Sequence, residues 1–136
     1  LNISLPLLLD IVPIIDELVV VGWVILSIGV LFVFLSIFTL HREGTSNIID
    51  SGIYSIVRHP MYLGGMVMFF SHIFFFQNWI TVTNAIVGIV CCYLIIRSAD
   101  QRNIEKFDDN YERYMQKVPR INFLLSIVRL LRYRKK

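Results

Sequence analysis

Leu18-Val-Val-Val-Gly-Trp-Val-Ile-Leu-Ser-Ile-Gly-Val-Leu-Phe-Val-Phe-Leu-Ser-Ile-Phe-Thr-Leu40 contains no Asp, Glu, Lys or Arg. A second run free of those residues extends from His59 to Ile96. As helix the first run is about 34 Å long, enough to cross roughly 30 Å of hydrocarbon. The second is about 57 Å, too long for one ordinary span. Gln77-Asn78 near its middle is the natural reversal, with Trp79 beside it as an interfacial anchor. The expectation is an all-α, polytopic transmembrane helical bundle with cytoplasmic C-terminal helices. Its spans are placed at about 18–40, 61–76 and 79–97. A strand barrel is the poorer alternative, because period-2 alternation is absent and the runs are too continuously apolar.

Composition agrees. Of 136 residues, 56% are apolar, and the mean hydropathy is +0.66. A soluble domain of this size cannot hide that much uncharged length in one small core. The 13 Lys and Arg fall in two places: Arg42 and Arg58 between the runs, and the remainder from Arg97 to Lys136. Residues 1–40 carry only Asp10, Asp16 and Glu17 as charges. The positive-inside rule then puts the 41–58 loop and the tail in the cytoplasm and the 77–78 turn outside. Three spans run accordingly from an outside N-terminus to an inside C-terminus. The opening segment, 3–15, is apolar but interrupted by Pro6, Asp10 and Pro13. It reads either as an interfacial piece or as the remnant of a fourth span. Leu1 in place of Met suits a chain that starts mid-protein or after processing, and the segment lacks the basic start of a signal peptide.

The chain turns polar at Arg97. Residues 98–117 read as a cytoplasmic helix in which Ile104, Phe107, Tyr111, Tyr114 and Met115 share one face. A kink is expected near Asp108-Asp109, where an acidic side chain would cap a new turn, and Pro119 ends the helix. Residues 121–133 interleave Phe, Leu, Ile and Val with arginines, as in a helix lying on an anionic leaflet. The pI near 9.0 accompanies no nucleic-acid-reading module, so no nucleic-acid partner is expected. Cys91 and Cys92 read as small packing residues, and no Cys/His spacing suggests a metal.

Between the runs, Gly52-Ile-Tyr-Ser-Ile-Val-Arg-His-Pro-Met-Tyr-Leu-Gly64 gathers polar and aromatic groups where they are costly unless something polar binds. Pro60 suits the first turn of a helix, since its missing N–H needs no partner there. The free N–H groups of that helix start favour a carboxylate, which Arg58 can pair bidentately. Tyr54 and Tyr62 offer rings and hydroxyls, and His59 two ring nitrogens. Singly, each of these residues suits a membrane interface equally well; their concentration points to an amphipathic, partly anionic ligand. Arg97 and Asp100 lie three apart on one helical face, where they either pair with each other or bind a zwitterion.

Gly52-x-Tyr54-x-x-x-Arg58-His59-Pro60-x-Tyr62-x-Gly64, an uncharged hairpin, and then Phe107-x-x-x-Tyr111-x-x-Tyr114-x-x-x-Val118-Pro119-Arg120 together resemble the isoprenylcysteine carboxyl methyltransferase family. That group also includes the phospholipid N-methyltransferases. The resemblance covers residues 50–121. It implies an integral membrane methyltransferase using S-adenosyl-L-methionine, held by the cytoplasmic helix ends and the C-terminal region, with a lipophilic acceptor entering from the bilayer. Carried over by position, Tyr54, Arg58, His59, Pro60 and Tyr62 would line the cofactor site. Gly64 would leave room for the cofactor, and Tyr111 and Tyr114 would close it. Arg97 and Asp100 would stand at the catalytic junction of cofactor and acceptor. The family commonly carries two consecutive glutamates where this chain has Ala99 and Asp100. The implied acceptor is a prenylated substrate such as an isoprenylcysteine carboxylate; a phospholipid, or a small hydrophobic amine or thiol, is the alternative. A non-catalytic membrane scaffold that binds lipid is the competing class.

Overall fold

A computed structural model describes residues 15–121; the readings at 3–14 and 122–133 lie outside them. The described chain is all-α: α1 (Asp16–Glu43), a short 3-10 turn (Gly52–Ser55), α2 (Pro60–Phe76), α3 (Trp79–Phe107) and α4 (Asp109–Lys117). By length and composition, α1 and α3 are apolar enough to cross a membrane, and α2 is a shorter apolar helix of 17 residues.

The central helix is α2, which packs on α1 and on α3. Its crossing with α1 depends on paired glycines. A Cβ on Gly29 would stand 2.9 Å from the Gly64 carbonyl oxygen, and one on Gly64 would stand 2.7 Å from the Gly29 carbonyl oxygen. The two backbones therefore meet where any side chain would hold them apart. On the other side a Cβ on Gly88 of α3 would collide with the Phe69 ring at 2.5 Å. The outward faces of α1 and α3 carry large apolar side chains, among them Val20, Phe34, Ile86 and Leu94, each more than half exposed.

The reversal falls at Gln77-Asn78. Gln77 caps α2 in the left-handed region, at φ 47°. Asn78 caps α3: its side chain accepts from the Thr81 N–H at 2.9 Å, and the Asn78 N–H reaches the Thr81 hydroxyl at 3.4 Å. Gln77 also clamps the start of α1, accepting from the Ile15 N–H at 2.9 Å and donating to the Ile15 carbonyl at 2.8 Å.

The change in composition at Arg97 is not a helix boundary. α3 continues unbroken to Phe107, because residues 98–107 contain neither Gly nor Pro and the intrahelical ladder has no reason to stop. The expected 98–117 helix is thus the last part of α3 followed by α4. The break comes at Asp108, at φ 47°. Its side chain makes no cap hydrogen bond, so the backbone conformation, rather than the expected acidic cap, ends α3. α4 then folds back so that Tyr111, Tyr114 and Val118 form a small core with Ile48, Ile104, Phe107 and Met115. Val118 leaves the helix in an extended conformation, as the residue before a proline must.

Candidate functional site

The end of α1, the start of α2, the last turns of α3 and α4 all meet around the 52–60 stretch. Gly52 turns the chain at φ 55°, packed so closely on α1 that a Cβ there would stand 3.1 Å from the Thr39 hydroxyl. The Ser55 hydroxyl closes the 3-10 turn on the Gly52 carbonyl at 2.7 Å. His59 then occupies the N-cap of α2 and Pro60 its first turn. Two long-range hydrogen bonds hold this stretch to the tail. The Arg58 N–H donates to the Pro119 carbonyl at 3.1 Å, and the Tyr114 hydroxyl donates to the Tyr54 carbonyl at 2.6 Å.

Asp100 is the hub. It is 3% exposed and accepts from four side chains. Arg58 Nη1 (3.2 Å), His59 Nε2 (2.7 Å) and the Tyr111 hydroxyl (2.8 Å) reach Oδ1, and Arg120 Nε (2.8 Å) reaches Oδ2. Burial by itself would raise the Asp100 pKa. The hydrogen bonds from His59 and Tyr111 and the charges of His59 and Arg58 outweigh burial and bring it from 3.8 down to about 2. Asp100 stands beyond the uncharged run of α3, in its polar extension. It is a permanent carboxylate with its lone pairs in use, which suits it to hold Arg58 and His59 in place and unsuits it as a base.

Beside the hub lies a cavity of about 270 Å³, just under the roughly 300–1,000 Å³ usual for small-molecule sites. Arg58, His59, Tyr54, Tyr62, Tyr111 and Tyr114 line it, together with Ala99, Asn103, Lys106 and Phe107. Leu40 and, from the loop, Thr45, Asn47, Ile48 and Ile49 complete the wall. Its electrostatics are one-sided: Arg58 and Lys106 bring positive charge, and no Asp or Glu among the described residues lines it. Arg58 Nε is buried without a hydrogen-bond partner, which costs free energy. Lys106 Nζ donates to the Thr45 carbonyl at 3.1 Å and lies 4.8 Å from the centroid of the Phe107 ring. Asn103 donates to the Tyr111 hydroxyl at 3.2 Å. Burial raises the pKa of Tyr111 and Tyr114, and raises that of Tyr54 to about 12. All three phenols are therefore neutral donors at ordinary pH.

Six of the residues named from sequence face this cavity: Tyr54, Arg58, His59, Tyr62, Tyr111 and Tyr114. Four do not. Pro60 starts α2 and is buried behind the site. Gly64 makes room for the α1 backbone at the Gly29 crossing, not for a ligand. Asp100 lies behind the wall, bound to its four donors, and Arg97 is exposed on α3 outside the lining. In place of an Arg97–Asp100 pair, Asp100 pairs with Arg58 and Arg120, because Asp100 is turned into the protein while Arg97 is exposed. Sequence reading gave no site role to Asn103, Lys106, Phe107 or Arg120. The first three follow Ala99 at helical spacing, and Phe107 and Arg120 also stand in the motif that carries the family resemblance, which were the available signals.

No described group of His, Cys, Asp and Glu is arranged to hold a metal ion. Comparison with curated proteins and comparison with solved structures each give no match. The profile of one family, described as phospholipid methyltransferase, does match, over residues 8–107. That match takes in well over half of the chain, including the whole of α1, α2 and α3. The chain therefore belongs to the phospholipid methyltransferase family, and is an S-adenosylmethionine-dependent methyltransferase acting on a lipophilic or membrane-associated substrate.

Proposed function

We propose that the cavity beside Asp100 is the cofactor site and that the acceptor is the amine of a phospholipid headgroup. The observation that carries the cofactor assignment is Arg58 in the wall of a cavity that no Asp or Glu among the described residues lines. With Lys106 it suits the carboxylate of S-adenosylmethionine. The Tyr54, Tyr62 and Phe107 rings suit the adenine and the sulfonium charge, and the Asn103 amide suits a ribose hydroxyl. When bound, the cofactor supplies an electrophilic methyl group.

The residues of the chain then have two tasks. One is to orient and desolvate: the hub fixes Arg58, while the Tyr111, Tyr114 and Phe107 rings keep water from the cavity. The other is to handle a proton. A carboxylate can only accept, so His59 Nε2 carries the hydrogen of the 2.7 Å contact with Asp100 Oδ1. In the neutral ring Nδ1 is then the basic nitrogen, and it takes the proton that an ammonium headgroup must lose before its nitrogen can attack. Carboxylate and thiolate acceptors need no such base, which is why the His59–Asp100 pair favours an amine. The positive lining of the cavity favours the second reading, an isoprenylcysteine carboxylate.

This reading makes the molecule an integral membrane enzyme of three spans, α1, α2 and α3. The N-terminus is outside, and the cavity end is cytoplasmic, following the arginines and lysines. Calorimetry with S-adenosylmethionine on detergent-solubilised protein tests the site. Arg58→Lys should weaken binding about tenfold; unchanged affinity removes the assignment. Radiolabelled methyl transfer to phosphatidylethanolamine and to an isoprenylcysteine analogue, run side by side, separates the acceptors. With the amine, His59→Gln should lower kcat about a hundredfold while leaving cofactor affinity within about threefold.

A further inference from the structure

A second hollow lies on the reverse side of the 52–54 wall. It measures about 400 Å³ and is formed by the last two turns of α1 and the Ser51–Ile56 segment. It shares no lining residue with the cavity beside Asp100. Its apolar flank is Leu35, Phe38 and Ile53, with Phe38 56% exposed. Its rim carries both signs of charge, Arg42 and Glu43, whose Nε and Oε1 atoms are 3.4 Å apart. The Arg42 side chain is 72% exposed and that of Glu43 37% exposed. An exposed pair of this kind is weakly bound and readily exchanges its partners for those of a ligand.

The hollow stands where the uncharged run of α1 ends at Leu40, the depth at which lipid headgroups meet a membrane helix. We infer that it seats one zwitterionic aminophospholipid of the surrounding membrane. The phosphate lies on Arg42, the ammonium on Glu43, and an acyl chain runs along Phe38 and Leu35. Charge complementarity selects this occupant. A purely anionic lipid would satisfy Arg42 and set its negative charge against Glu43, and a sterol or neutral lipid would satisfy neither. The end of α1 adds to the selection, since the partial negative charge of a helix C-terminus favours an ammonium group. A lipid seated here rests on Gly52 and Ile53, the residues that precede Tyr54 of the cofactor wall. The seat is separate from the methyl-transfer site and stands whichever acceptor is methylated.

The test uses the full chain in detergent micelles without cofactor. A phosphatidylethanolamine probe with a diazirine in its acyl chain is photolysed, and the labelled peptides are mapped. Label is expected on residues 35–43 and 51–56. Unlabelled phosphatidylethanolamine should compete about tenfold better than phosphatidylglycerol, which has the phosphate and lacks the ammonium. Arg42→Gln and Glu43→Gln should each reduce labelling at this seat about fivefold while labelling of the exposed α3 face stays constant. The double variant Arg42→Glu, Glu43→Arg keeps both charges in reversed order, controls for folding and should restore part of the label. Equal competition by phosphatidylglycerol, or full labelling in both single variants, overturns the seat. Because no cofactor is present, failure to methylate phosphatidylethanolamine would count against the acceptor assignment and leave this result unaffected.

Discussion

Replacing Asp100 by Asn keeps the shape of the hub and removes its charge, which makes it the most direct probe of how the site is held. Arg58, 8% exposed, would lose its buried counter-ion. Arg120 Nε would face either an amide NH₂ or a carbonyl already serving three donors. The depression of the Asp100 pKa from 3.8 to about 2 corresponds to about 2 kcal/mol favouring the ionised form in the folded state. Leaving a buried charge without its partner costs about 3–5 kcal/mol. Asn still accepts one or two of the hydrogen bonds, so the expected loss is about 3 kcal/mol, a fall of about 10 °C in Tm. Circular dichroism melts in detergent at pH 7 measure this. The pH dependence supplies a second signature. A depressed carboxyl pKa gives stability that is complete above the ordinary value and lost as pH falls through the folded one. The native protein should therefore lose about 2 kcal/mol between pH 5 and pH 2 that the Asn variant never had. A Tm change at pH 7 within roughly 2 °C, or parallel pH profiles for the two proteins, would refute the claim that the Asp100 charge holds the site together.

Adjacent glycines of α2 should respond in opposite ways. Gly64→Ala pushes a methyl against the Gly29 carbonyl and the Val33 side chain and should destabilise by about 1–3 kcal/mol. Gly65→Ala meets only Cys92 Sγ, at 3.7 Å, and should be neutral or stabilising by up to about 1 kcal/mol through helix propensity; thermal melts of the pair decide it. Tyr114→Phe removes the 2.6 Å hydrogen bond to the Tyr54 carbonyl and should cost about 1–3 kcal/mol. Amide hydrogen exchange should then quicken along 52–58, the stretch this bond ties to α4.

The three apolar helices were legible because uncharged length is a one-dimensional property, and hydrocarbon thickness sets its unit. Gln77 was legible as an interruption for the same reason, whereas Asp108 was marked by its paired acids even though the cap they suggest does not form. The residues that face the cavity were legible in part, because the 52–64 stretch is continuous in sequence and its polar residues had nowhere apolar to go. What sequence could not show is which side of a helix meets which neighbour. Gly64 illustrates this, since a small residue serves a ligand or a second backbone equally well, and only Gly29 opposite decides between them. The Asp100 hub illustrates it more strongly, because its donors come from positions 58, 59, 111 and 120 and converge only after α4 folds back.

Positions 99 and 100, where the family resemblance leads one to expect a pair of glutamates, divide along the same line. Successive residues on a helix point about 100° apart, so two adjacent acids in α3 would not act on the same object. Ala99 lines the cavity, while Asp100 is turned behind its wall into the hub. The shorter Asp side chain still reaches all four donors at 2.7–3.2 Å, so the structural half of the pair is intact. The missing acid is missing from the cavity alone, where it leaves Arg58 and Lys106 without a facing carboxylate. An anionic ligand there meets Arg58 and Lys106 with no facing carboxylate, so under the proposed cofactor assignment it is Arg58, in the wall, rather than Asp100, behind it, whose replacement should weaken cofactor binding directly.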